Sequence, residues 1–193
     1  MVENSEREML SKLILVAGPV RSGKSEVAEA LAIASKKFVT YIATARVDPA
    51  DLEWQARILQ HQQRRPASWQ TLMVPVDLAA VFQSADPHSC LLVDSLGTWV
   101  ANLLELEDLE WQETLNDLRE SLIITPADVI LVSEEVGWGV VPAYPLGRKF
   151  RDRLGSLTRW VGAIANPTYL VTNGHILNLT QLGTTIPQFV AQL

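Results

Sequence analysis

The segment Gly18-Pro19-Val20-Arg21-Ser22-Gly23-Lys24-Ser25 spells G-x-x-x-x-G-K-[ST], and it lies between two runs of opposite character. Before it comes the apolar stretch Leu13-Ile14-Leu15-Val16-Ala17, and after it the helix-like stretch Glu26-Val27-Ala28-Glu29-Ala30-Leu31-Ala32. A strand, a glycine-bounded loop and a helix in that order leave few options. The strand must be buried, the loop must turn sharply at the strand's end, and the helix must pack back on the sheet. In such a loop the backbone N–H groups and the positive end of the helix converge on a polyphosphate. Lys24 is the side chain expected to reach the β- and γ-phosphates of a nucleoside triphosphate, and the Ser25 hydroxyl is expected to ligate Mg²⁺. Gly18, Pro19, Val20, Arg21, Ser22, Gly23, Lys24 and Ser25 therefore form the first set of candidate nucleotide-binding residues.

The rest of the chain continues the pattern. Apolar runs occur at Leu13 to Ala17, Val39 to Ala43, Leu91 to Asp94, Val129 to Ser133 and Thr168 to Thr172, with a further short candidate near Ile176 to Leu179. They are apolar throughout rather than alternating, as strands buried on both faces are. Helical patterns between them imply a mostly parallel α/β sheet wrapped by helices. The clearest helix spans Leu146 to Ala165. Leu146, Phe150, Leu154, Leu157, Val161 and Ile164 recur there at steps of three or four and should form its buried stripe, with Arg148, Arg151, Asp152, Arg153 and Arg159 off it. Another helix is expected from Asp51 to about Arg64, ended by Pro66. With 193 residues and no repeat, low-complexity tract or dividing linker, the chain reads as one domain, 1–193, with 1–12 a flexible extension.

Bulk properties narrow the class. The net charge is −6 and no Lys/Arg block resembles a nucleic-acid arm, so a duplex-binding role is disfavoured. A single cysteine, Cys90, excludes an internal disulfide and a cysteine-based zinc site, and its apolar neighbours suggest a core thiol. The polar, acidic N-terminus is unlike a signal peptide, and no apolar run approaches the ~20 residues that cross a bilayer. The cytoplasm is the expected compartment.

Ligands in open α/β sheets bind beyond the carboxyl ends of the strands, so residues there are the candidates for chemistry. Asp94 ends an apolar run and fits the acid that holds Mg²⁺ directly or through water, although an Asp can equally cap the next segment. Arg57, His61 and Arg64 stand at i, i+4 and i+7 and share a helix face. Two guanidiniums would favour a neutral, nucleophilic imidazole and could also bind a triphosphate, while a merely solvated polar face fits the same spacing. Ser133-Glu134-Glu135-Val136-Gly137-Trp138-Gly139 follows a strand directly. Glu134 and Glu135 are placed to orient a hydroxyl or a metal-bound water, or the loop simply packs a Trp. His88 and His175 both sit in turn-like stretches.

Taken together these segments resemble the bifunctional adenosylcobinamide kinase / adenosylcobinamide-phosphate guanylyltransferase family of cobalamin biosynthesis. The resemblance is carried by Ala17 to Ser25, Tyr41-Ile42-Ala43-Thr44-Ala45, and Arg57-Ile58 with His61, Arg64-Arg65-Pro66 and Trp69. It continues through Asp94-Ser95-Leu96, Asn102-Leu103-Leu104, Glu135 to Pro142 and Phe150-Arg151-Asp152. It implies a P-loop NTPase fold with a RecA-like sheet, GTP or ATP with Mg²⁺, adenosylcobinamide as acceptor, and a trimeric assembly. It implies that His61 is the nucleophile that carries GMP, with Lys24 catalytic, Arg57, Arg64, Asp94 and Glu135 at the nucleotide, and Ser25 and Asp94 at the metal. The chain departs from the family pattern at Pro19, Val20, Met73, Ala101 and Thr158. It departs again at Gly97, where Thr is usual, and at Glu134, where Asn is usual. A P-loop small-molecule kinase without a covalent step, or a non-catalytic GTP-binding module, would share the phosphate loop but has no use for the His61 segment.

Overall fold

The structure is a computed structural model that describes residues 12–46 and 65–187. Its strands are β1 (Leu13–Gly18), β2 (Phe38–Ala43), β3 (Gln70–Met73), β4 (Ser89–Asp94), β5 (Asp128–Glu134), β6 (Thr168–Thr172) and β7 (His175–Asn178). The helices among the described residues are α1 (Lys24–Ala34), α2 (Leu78–Gln83), α3 (Leu96–Asn102), α4 (Asp108–Ile124), α5 (Pro145–Ile164) and α6 (Leu179–Leu182). They build one seven-stranded sheet in the order β3-β2-β4-β5-β1-β6-β7, in which only the β6–β7 pair is antiparallel. This is the expected mostly parallel α/β sheet.

The unbroken apolar runs have a direct explanation. Successive strand residues point to opposite faces, and here both faces are covered. Leu15, Ile42, Leu91, Val93, Val129 and Leu131 join Phe82, Leu96, Trp99, Trp111, Leu118, Leu154 and Leu157 in one core. Val16, Tyr41, Cys90, Leu92, Ile130 and Val132 join Ala28 and Ala32 of α1 in the other. Small residues on α1 let that helix lie close to the strands beside the phosphate loop. Cys90 is buried and reduced, as a core thiol should be, and burial pushes its pKa up to about 11.

Several expectations need correction. Lys12 is not part of a loose extension. Its N–H donates to Asp128 Oδ1 at 2.9 Å and its carbonyl accepts from Val129 N at 2.7 Å, so it is tied to the start of β5. On α5, Leu154, Leu157 and Val161 are fully buried, but Leu146 and Ile164, at the two ends of the stripe, are exposed because the helix overruns the sheet at both ends. Arg153, expected on the outer face, is only 6 % exposed. Its guanidinium donates to the Leu103 carbonyl (3.0 Å), the Leu106 carbonyl (2.8 Å) and Asp108 Oδ1 (3.3 Å), and lies over the Trp111 ring. Buried carbonyls between α3 and α4 need a donor, and helical periodicity carries no record of that need. The edge strand β3 was missed, since Gln70-Thr71-Leu72-Met73 is largely exposed and lacks the apolar signature of the inner strands. The last strand begins at His175 and returns through Asn173 and Gly174, both at positive φ, which is the backbone a two-residue hairpin requires. The expected helix from Asp51 to Arg64 lies outside the described residues. Among the described residues no helix is long and apolar enough to cross a membrane.

Strand order also locates the site. The chain adds β5 on one side of β1 and β6 on the other. A crevice opens at the carboxyl end of a strand flanked in this way, and the connections leaving β1, β4 and β5 surround it.

Candidate active site

The loop after β1 is held by backbone geometry. A Cβ on Gly18 would collide with the Val171 carbonyl oxygen and approach Ser22 Oγ to 2.7 Å, so only glycine fits. Arg21 (φ 57°) and Gly23 (φ 90°) turn the chain through the left-handed region. Ser22 N donates to the Pro19 carbonyl at 3.3 Å, and Val27 N donates to the Gly23 carbonyl at 3.0 Å as α1 begins. Lys24 is mostly buried and its ammonium lies across the loop, donating to the Pro19 carbonyl at 3.4 Å. Ser22 Oγ is buried without a hydrogen-bond partner among the described residues, a polar atom turned into the loop that a phosphate oxygen would satisfy. Ser25 stands half-buried in the first turn of α1, and Val20 is exposed at the loop's crest.

Two strands away, Asp94 closes β4. The Tyr41 O–H donates to its Oδ2 at 3.0 Å, leaving Oδ1 for another ligand. Burial first, and then the Asp94 charge, raise the Tyr41 pKa far above its ordinary value, so Tyr41 remains a phenol and a donor. The Arg65 guanidinium stacks on the Tyr41 ring 3.6 Å from its centre and donates to Thr71 Oγ1 at 3.3 Å. Arg65 therefore stands beside the Tyr41–Asp94 pair. Arg57, His61 and Arg64 lie outside the described residues.

Beyond Asp94 the backbone is locked to β2. Ser95 N donates to Thr44 Oγ1 at 2.9 Å, and Thr44 Oγ1 donates to the Ser95 carbonyl at 2.8 Å. Asn102 Nδ2 donates to the carbonyls of Thr44 (2.7 Å) and Pro75 (2.9 Å). This arrangement accounts for the Tyr41–Ala45 and Asn102 positions in the sequence pattern: they hold the β2 and β4 ends together. The roles of Tyr41, Thr44 and Asn102 are not legible in the residues alone, because the bonds join parts of the chain 27 to 58 positions apart.

At the end of β5, Glu134 registers with Gly18, and Glu135 N donates to the Gly18 carbonyl at 2.9 Å. The two acids therefore stand beside the phosphate loop. Glu135 Oε1 accepts from Gly137 N at 2.8 Å, which makes this side chain a brace of its own loop as well as a candidate nucleotide contact. Ser133 and Thr158 hydroxyls pair at 2.7 Å. The loop that follows is held from α5. Arg151 donates to the carbonyls of Gly137 and Gly139, and Arg148 to those of Pro142 (3.0 Å) and Ala143 (2.6 Å). Trp138, Val140, Val141 and Tyr144 remain exposed on it. Trp138 is thus not packed in the interior. His88 is exposed in a turn, whereas His175 is exposed as the first residue of β7, just past the Asn173-Gly174 turn, with its Nδ1 2.9 Å from the Asn173 carbonyl oxygen.

A phosphate loop, a carboxylate two strands away and two further acids at the strand between them can bind a nucleoside triphosphate with a divalent cation and present it to an acceptor. A protein from Pyrococcus horikoshii OT3 has the same fold, with a TM-score of 0.55 at 10% identity over 95% of this chain and 92% of that one. The bifunctional adenosylcobalamin biosynthesis protein CobP of Pseudomonas aeruginosa is 45% identical over 148 residues, covering 74% of this chain and 83% of that protein. The bifunctional adenosylcobalamin biosynthesis protein CobU of Escherichia coli is 38% identical over 177 residues, covering 84% of this chain and 96% of that protein. The family model for cobinamide kinase / cobinamide phosphate guanyltransferase matches residues 14–179, from the phosphate-loop strand to the far edge of the sheet. This chain belongs to the cobinamide kinase / cobinamide phosphate guanyltransferase family.

Proposed function

We propose that this protein phosphorylates adenosylcobinamide and then transfers GMP from GTP to the adenosylcobinamide phosphate, giving adenosylcobinamide-GDP through a guanylylated His61. The observation that carries the reading is the family match across residues 14–179, which spans the phosphate loop, the His61 segment and the loop after β5.

In the first reaction the hydroxyl of adenosylcobinamide attacks the γ-phosphorus of GTP or ATP, and the nucleoside diphosphate leaves. The loop N–H groups and Lys24 hold the phosphates, with Lys24 facing the charge that develops on the transferred group. The Ser25 hydroxyl and the Asp94 carboxylate are hard oxygen donors that suit Mg²⁺, and the Tyr41 bond aims the carboxylate. The cation, when bound, would neutralise phosphate charge. In the second reaction the His61 imidazole attacks the α-phosphorus of GTP and pyrophosphate leaves. The substrate phosphate then displaces the imidazole, so the P–N bond breaks and His61 is regenerated. Arg57, Arg64 and Glu135 are assigned to the nucleotide. The protein works as a homotrimer, and sedimentation of the purified chain tests that part.

The test is incubation of purified protein with GTP labelled in the α-phosphate and Mg²⁺, without corrinoid, followed by denaturation. Acid-labile, base-stable label on the chain that is lost in His61→Ala is the expected result. No label, with GTP binding verified in parallel, would exclude the phosphoramidate and favour a P-loop kinase without a covalent step.

A further inference from the structure

A carboxylate oxygen withdrawn from water ordinarily finds a donor, and a native structure that leaves one unpaired has a use for it. Glu134 Oε2 is such an atom, buried and without a hydrogen-bond partner among the described residues. Its polar neighbours at the same sheet edge are engaged: Glu135 Oε1 by Gly137 N, Asp94 Oδ2 by Tyr41, and the Ser133 and Thr158 hydroxyls by each other.

The fold makes room for this carboxylate. Glu134 leaves the sheet in register with Gly18, beside the phosphate loop, and its head ends against Gly97 of α3, three residues beyond Asp94. A Cβ on Gly97 would fall on Glu134 Oε2 and lie 2.8 Å from Glu134 Cδ. Position 97 is therefore glycine because the Glu134 carboxylate occupies the space of a side chain. Gly97 and Glu134 are therefore matched to each other across the ends of α3 and β5.

We propose that Glu134 receives the hydrogen bond of the acceptor hydroxyl and takes its proton during phosphoryl transfer; this rests on the kinase reading above. As the hydroxyl oxygen bonds the γ-phosphorus, the bridging P–O bond breaks with its electron pair going to the nucleoside diphosphate. The hydroxyl proton passes to the half-buried Glu134 carboxylate, which releases it to solvent once the product has left. The acceptor supplies the missing donor, and the carboxylate lies between the strand end, in register with Gly18, and Gly97, three residues beyond Asp94. An Asn at this position can orient a hydroxyl but cannot take its proton. The pH dependence of the reaction therefore separates the two roles.

The experiment measures transfer of γ-labelled phosphate to adenosylcobinamide with Mg²⁺, comparing the full-length protein with Glu134→Gln from about pH 5 to about pH 9. The expected result is a kcat lower by on the order of 10²-fold, little change in the KM for adenosylcobinamide, and a kcat–pH profile whose shape differs from that of the unaltered protein. Gly97→Ala, which crowds the carboxylate but keeps its charge, should lower kcat in the same direction with an unchanged KM for the nucleotide. A Gln variant that keeps the unaltered kcat and pH profile overturns the inference and leaves the kinase reading standing. A Gln variant that loses kcat, KM and melting temperature together also overturns it, in favour of a packing role. Absence of transfer by the unaltered protein overturns both.

Discussion

The phosphate loop and the loop after β5 face each other across the carboxyl edge of β1, yet they are held in opposite ways. Residues 18–25 are held mostly from within, through a left-handed Arg21 and Gly23, a Ser22-to-Pro19 bond and the first turn of α1, with Glu135 N also donating to the Gly18 carbonyl. Residues 135–144 depend on guanidiniums from the next helix, Arg148 and Arg151, and expose Trp138, Val140, Val141 and Tyr144 to solvent. A self-supporting loop is preorganised for a ligand common to many proteins, the triphosphate. A loop braced from outside with apolar residues on show suits a ligand that must enter, be covered and leave.

That contrast predicts how each region breaks. Lys24→Ala should have the largest effect, a fall of about 10³-fold in kcat/KM for phosphoryl transfer, because a donor facing developing charge is lost. Its unfolding curve should stay close to that of the unaltered protein, since among the described residues the ammonium makes only a long contact to the Pro19 carbonyl. A large loss of stability would show that the loop is less self-contained than its geometry says.

Arg153→Ala should do the reverse. It removes the donor from the buried Leu103 and Leu106 carbonyls and should cost about 3 kcal/mol in urea unfolding, with the exposed Asp108 contact adding little. Phosphate affinity in the folded protein should persist.

Arg151→Ala tests the external brace directly. Loss of its bonds to Gly137 and Gly139 should cost about 1 kcal/mol locally, read as faster amide exchange in residues 137–139 with no change at Ser22 or Gly23. Equal acceleration in both loops would mean that the two are one cooperative unit.

The smallest effect concerns the core beneath them. The Cys90 pKa is raised by burial to about 11, above the unfolded thiol. Its contribution is complete below about pH 9 and is lost as pH rises towards about 11, because the unfolded chain ionises first. Cys90→Ala should flatten that alkaline slope, and native protein should resist iodoacetamide at about pH 8 while unfolded protein reacts.

Legibility followed the range of the interactions. The β1–loop–α1 unit could be read because its signals are contiguous. The inner strands could be read because burial on both faces leaves an apolar run. β3 could not, because an exposed edge strand four residues long has no such run. On α5 the period identified Leu154, Leu157 and Val161 correctly but misplaced its ends, because the extent of the sheet beneath a helix is not written in the helix. Asp94 and Glu135 were picked from their positions after strands. Their partners, Tyr41 and Gly137, became visible only in three dimensions, as did Gly97 as the reason Glu134 fits.

The sequence by itself determined the phosphate loop, the parallel α/β class and the family, since each rests on residue types at short, fixed spacing. The tertiary structure alone decided that Arg153 is interior, that Arg151 braces the loop after β5, and that Glu134 keeps an unpaired buried oxygen against Gly97. Those outcomes depend on which carbonyls and side chains meet after strands and helices far apart in the chain are packed together, and pairwise contact across that distance leaves no periodic trace in one sequence.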